Sequence, residues 1–118
     1  MTADNMMDVR FHVCSRCGNI IVSTGEAKVE CCGRILPALT AGVSTGTKVE
    51  IEGDEYVIPI HHPMTKDHYF MFFAAVSESG VQLARLSPGK NTKVRFRSEG
   101  VKQIYMYCTV HGLYVKEL

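Results

Sequence analysis

The chain has 118 residues, enough for one ordinary domain or for a small domain carrying a still smaller metal-bound unit. A hydrophobic fraction of 46% supports a real core, while a net charge of +1 with 21% charged residues offers no bulk attraction for nucleic acid or a membrane surface. Met1–Arg10 carries Asp4 and Asp8 and no apolar run, so no signal peptide or membrane span is expected, and a cytoplasmic, thiol-preserving location is.

Residues 11 to about 37 form a first unit. Its sizeable apolar side chains are Phe11, Val13, Ile20, Ile21 and Val22, too few for an independent core, so a bound metal is expected to hold it together. The unit contains Cys14-Ser15-Arg16-Cys17-Gly18 and Cys31-Cys32-Gly33. The first spacing lets one tight turn present two sulfurs to one ion. The glycine after each cysteine pair can take a positive φ, which turns nearby amides toward the thiolates. Adjacent side chains diverge on an extended strand, so Cys31 and Cys32 both bind only from a distorted turn; otherwise one is a bystander. Four thiolates suit iron and zinc alike. An odd count of five cysteines fits four ligands at one centre and one at another, and fits a disulfide framework poorly.

Leu36-Pro37-Ala38-Leu39 leads into Thr40–Thr47, which is rich in Thr, Ser and Gly and reads as a linker or loop, dividing the chain into units 1–38 and 39–118. Period-two alternation then begins. Lys48–Glu52 and Tyr56–Ile60 form a hairpin turning at Gly53-Asp54. His68–Val76 is continuously apolar, as in a buried strand, so Met71-Phe72-Phe73 is core. Val81–Leu86 is a further strand, Ser87-Pro88-Gly89 a turn, and Lys93–Arg97 an alternating strand whose Lys93, Arg95 and Arg97 form a solvated face. Ile104–Tyr107 and Leu113–Val115 flank Cys108 and His111. No segment has a sustained helical period, and short strands punctuated by turns point to an antiparallel sandwich.

A second group of ligand-type residues lies in this region. His62 and His68 flank a turn containing Pro63, and His111 follows Cys108 by three residues. On a straight strand that last spacing points the two side chains to opposite faces, whereas a turn at Thr109-Val110 followed by Gly112 brings both to one ion. The bland alternative is a buried free Cys108 beside ordinary surface histidines. As a group, the residues favour a Cys/His metal cluster. Met64 reads as packing rather than a thioether ligand. His12 flanks the four-cysteine centre without binding, and His61, next to His62, points the other way.

Together these segments resemble the desulfoferrodoxin family of superoxide reductases. Phe11–Asn19 with Cys31-Cys32-Gly33 is similar to its desulforedoxin-type module; His62-Pro63-Met64 with His68-Tyr69, and Tyr107-Cys108-Thr109-Val110-His111-Gly112, are similar to its catalytic segments. The resemblance implies an all-β chain: a small rubredoxin-like four-cysteine metal module, then an immunoglobulin-like antiparallel β-sandwich. It implies an Fe(Cys)4 centre on Cys14, Cys17, Cys31 and Cys32, and a mononuclear iron with equatorial imidazoles from His62, His68 and His111 and an axial Cys108 thiolate. The family carries a further histidine in a Glu-Lys-His loop, but Leu39–Lys48 here holds neither histidine nor glutamate. Lys48 stands in for the loop lysine that attracts the superoxide anion. The implied activity is reduction of superoxide to hydrogen peroxide, with a small redox protein such as rubredoxin as donor and a homodimer as the assembly. The alternative is a non-enzymatic electron-transfer or structural metal protein, with iron or zinc on the cysteines and a degenerate second site.

Overall fold

The computed structural model describes residues 8–89 and 93–118. Most of the N-terminal segment on which the expectation of no export signal rests lies outside the described residues.

Among the described residues twelve strands follow one another: β1 Val9–Val13, β2 Ile20–Thr24, β3 Glu30–Cys31, β4 Arg34–Ile35, β5 Ala41–Val43, β6 Glu50–Glu52, β7 Glu55–Pro59, β8 Phe70–Ser77, β9 Val81–Arg85, β10 Lys93–Arg97, β11 Val101–Cys108 and β12 Gly112–Glu117. No α-helix occurs among the described residues. A five-stranded sheet in the order β5-β12-β11-β8-β9 faces a three-stranded sheet in the order β10-β7-β6, and β1-β2 and β3-β4 are separate hairpins. This is the expected all-β architecture, a β-sandwich preceded by a small four-cysteine module.

Strand β8 shows why its sequence lacks alternation. Phe72, Phe73, Ala74, Ala75 and Val76 are all buried. Phe73 and Ala75 meet Ile58 of β7 and Phe96 of β10 in the inter-sheet core. Phe72, Ala74 and Val76 point the other way, onto Val9 and Phe11 of β1. A strand covered on both faces has no polar face to display. β10, covered on one face only, buries Val94 and Phe96 and exposes Lys93, Arg95 and Arg97. Arg95 pairs there with Glu52 and Glu55 at 3.1 and 3.2 Å, the solvated face the alternation predicts.

Two sequence expectations change. The apolar residues of the first unit do not stand alone: Phe11 is 1% exposed, its ring 5.3 Å from Phe72 and 4.9 Å from Tyr105. The β1–β2 hairpin therefore draws its stability from the sandwich as well as from any metal. Within the stretch read as linker or loop, Ala41–Val43 forms edge strand β5, parallel to β12. Its signal was hidden by Gly42, which lets the Tyr114 ring of β12 lie close: a Cβ there would stand 3.1 Å from the ring.

His12 is the one buried polar residue of the core among the described residues, 2% exposed. Its Nδ1 lies 2.9 Å from the Leu36 carbonyl and its Nε2 3.1 Å from Ser23 Oγ, so it ties β1 to the segment after β4. Replacing Phe11 with Ala should cost about 3–5 kcal/mol in a urea melt and expose the β1–β2 amides to hydrogen exchange. A loss below about 1 kcal/mol would show that β1 is not part of the common core.

Candidate metal centres

The first cluster is built by two turns. Cys14–Asn19 closes the β1–β2 hairpin, with the Gly18 amide donating to the Cys14 carbonyl at 2.8 Å and the Cys14 amide to the Asn19 carbonyl at 3.0 Å. The β3–β4 turn places Cys32 at φ 53° and Gly33 at φ 75°. Two left-handed central residues are the signature of a type I′ hairpin, and the conformation is unfavourable for a cysteine by roughly 1–2 kcal/mol. That distortion brings the adjacent sulfurs together instead of letting them diverge. The ligand atoms of Cys14, Cys17, Cys31 and Cys32 all lie within 4.8 Å of one another, with Cys17 and Cys31 sulfurs 3.5 Å apart. The Asn19 amide nitrogen donates to Cys31 Sγ at 3.8 Å.

The crowded sulfurs of this cluster differ in how readily they ionise. The Cys17 amide, helped by the Arg16 amide against the effect of burial, draws the Cys14 thiol down to about 6. The Cys17 and Cys14 sulfurs in turn push Cys32 up to about 12, and Cys17 pushes Cys31 up. Sulfurs this close cannot all ionise together unless a positive ion sits among them.

The second cluster is assembled where β7, β8, β11 and β12 end. Thr65 and His68 bridge across the Pro63 loop, with amide–carbonyl distances of 2.9 and 3.2 Å. The register of β11 against β8 slips between Tyr107, opposite Phe72, and Cys108, opposite Phe70. This bulge aims Cys108 and Phe70 at the cluster end of the inter-sheet core. A reciprocal pair locks the two ligand loops: the Thr109 amide donates to the Tyr69 carbonyl at 3.0 Å, and the Tyr69 amide to Thr109 Oγ1 at 3.2 Å. The ligand atoms of His62, His68, Cys108 and His111 lie within 4.8 Å of one another.

Their surroundings suit a cation. The Val110 and His111 amides each donate to the buried Cys108 sulfur at 3.4 Å and fix its position. His62 Nδ1 donates to the Pro63 carbonyl at 2.7 Å, which leaves Nε2 as a bare acceptor, and the ring stacks 4.0 Å from Phe70. Burial holds this imidazole below its ordinary pKa of 6.5, against the Pro63 hydrogen bond, and the neighbouring His68 and His111 act in the same direction. A neutral ring is the form that binds metal. The Nε2 atoms of His62 and His68 are buried and have no partner among the described residues, an arrangement that costs free energy unless an ion fills it. A pocket of about 440 Å³ opens over the cluster, walled by Val43, Ser44, Thr45 and Thr47 together with His62, Cys108 and His111.

All eight cysteine and histidine candidates enter the two clusters, and His12 and His61 stay outside them. His61 is exposed; it lines a smaller adjoining pocket with Lys48 and His62. Lys48 is 75% exposed, its ammonium 3.9 Å from Glu50. Met64 packs, accepting the Phe70 amide at 3.4 Å. Sequence reasoning did not single out Asn19, the Thr109–Tyr69 lock, or Arg85, whose guanidinium reaches the Gly18 carbonyl. Asn19 is legible as a polar neighbour of a Cys-Gly turn; the other two are long-range contacts with no local signal.

A family model described as Desulfoferrodoxin matches residues 37–117, the sandwich and its His/Cys cluster. The chain belongs to the desulfoferrodoxin family. A desulfoferrodoxin of Clostridium acetobutylicum is 24% identical over 99 residues, which are 84% of this chain and 71% of that protein. The crystal structure of the superoxide reductase from Treponema pallidum shares the fold, with a TM-score of 0.80 at 23% identity over 91% of this chain and 96% of that one. Desulfoferrodoxin membership places the chain in an iron-binding, redox-active family. Replacing Cys31 with Ser should lower the metal bound at the four-cysteine cluster, measured by elemental analysis, and leave the His/Cys cluster loaded. Unchanged metal content would remove Cys31 from the ligand set.

Proposed function

We propose that this chain reduces superoxide to hydrogen peroxide at an iron held by His62, His68, His111 and Cys108. The observation that carries the reading is the convergence of these four side chains with two imidazole nitrogens buried and unpartnered. Bound iron would supply one electron to superoxide, which with two protons leaves as hydrogen peroxide. The chain's own groups prepare that exchange. The Val110 and His111 amides orient the Cys108 sulfur, and the Pro63 carbonyl fixes the His62 tautomer. Lys48, exposed beside His61 and His62, provides the positive charge that draws the anion inward. Cys14, Cys17, Cys31 and Cys32 would hold a second iron in unit 1–38 and pass electrons from a small redox protein to unit 39–118.

No fourth imidazole joins the second cluster among the described residues, and hydroxyl-bearing Ser44, Thr45 and Thr47 line the pocket beside it. Fewer protein ligands weaken retention of the ion, so this centre should lose iron readily and regain it from added ferrous salt. Stopped-flow mixing of the iron-loaded protein with superoxide should show fast iron oxidation and about one peroxide per iron. Cys108→Ser should abolish the fast phase while the four-cysteine spectrum persists. A fully loaded second centre without a fast reaction would contradict the reductase reading and favour an electron carrier.

A further inference from the structure

Among the described residues, a polar side chain of the sandwich reaches the four-cysteine module from a distant strand. Arg85, the last residue of β9, donates from Nη2 to the Gly18 carbonyl at 2.7 Å, across 67 residues of sequence. The sheet register explains the reach. Arg85 pairs with Phe72 across β8–β9, so it projects on the face of the five-stranded sheet that β1 covers. Gly18 is shaped to receive it: its φ is +76°, and a Cβ at that position would lie 3.1 Å from Arg85 Nη2. The contacted peptide belongs to the turn that carries Cys14 and Cys17 and continues into Asn19, which donates to Cys31 Sγ. Among the described residues no carboxylate pairs with Arg85, in contrast to Arg95, which has Glu52 and Glu55.

We propose that Arg85 is a positioning residue of the four-cysteine centre, latching the Cys14–Gly18 turn to the sandwich and holding an unneutralised positive charge beside the thiolates. This rests on the reading that the four cysteines bind a metal. Two consequences follow from electrostatics. A nearby cation stabilises a cluster of thiolates, so it strengthens metal binding there. With iron bound, the reduced form carries one more negative charge than the oxidised form, so the same cation favours reduction and makes the centre easier to reduce. Because Arg85 is exposed, both effects should shrink as salt rises.

The test compares the native chain with Arg85→Gln and Arg85→Lys. Cobalt(II) titration, read from the intense absorption of cobalt in four thiolates, should show about threefold weaker binding in Arg85→Gln at low salt, and a smaller difference at high salt. The reduction potential of the iron-loaded centre should move to a more negative value in Arg85→Gln and stay near the native value in Arg85→Lys. Hydrogen exchange at the Cys14–Gly18 turn should rise in Arg85→Gln. Identical cobalt affinity and potential in Arg85→Gln and the native chain would overturn the proposal. Equal potential shifts in Gln and Lys variants would overturn the charge role. A native chain that binds no cobalt through its four cysteines would overturn the underlying metal reading instead, a result distinct from either.

Discussion

The pairing of β8 with β11 between two apolar layers is the constraint on which both clusters depend. Its central residues are buried on both faces, by the three-stranded sheet on one side and by β1 on the other. A one-residue slip would exchange the two faces and set each row of large side chains against a layer shaped for the other row. The bulge at the end of this pair is therefore held in place, and with it Cys108 and Phe70. The same pair presents Phe72 and Tyr105 to Phe11, which anchors the hairpin leading to Cys14. One rigid ladder thus positions the Cys108 sulfur at its end and a four-cysteine turn over its outer face.

What the fold cannot satisfy is charge. Thiol groups crowded at the first cluster push one another's protonation apart, and imidazole nitrogens at the second are buried without partners. Packing alone gives no reason for either arrangement; a cation removes both penalties. The loops that create them are strongly braced, by a type I′ turn at Cys32-Gly33 and by the reciprocal Thr109–Tyr69 pair. Strain at Cys32 and buried unpartnered nitrogens at His62 and His68 are the observations on which the proposed metal centres rest.

Much of this was legible in the residues. Cysteine spacing with a following glycine, and alternation in Lys93–Arg97, report local geometry, and the structure repeats them. The continuous apolar run after His68 reported a strand covered on both faces, although not by what. β5 was missed because Gly42 and Thr-rich neighbours carry loop composition for a packing reason lying on Tyr114. The dependence of the first unit on Phe72 and Tyr105, and the Arg85 contact to Gly18, are long-range and leave no periodic trace. Local chemistry was readable from the chain, whereas the coupling between its two ends required the sheet register.

The central claim is that one sandwich supports two separate metal centres with the ligand sets described. Anomalous diffraction at the iron edge from crystals of the iron-loaded protein tests it most directly. The account predicts two peaks, one among the sulfurs of Cys14, Cys17, Cys31 and Cys32, the other among His62, His68, His111 and Cys108 with His61 turned away. A single peak, or a second peak ligated by His61 in place of one of those histidines, would contradict it.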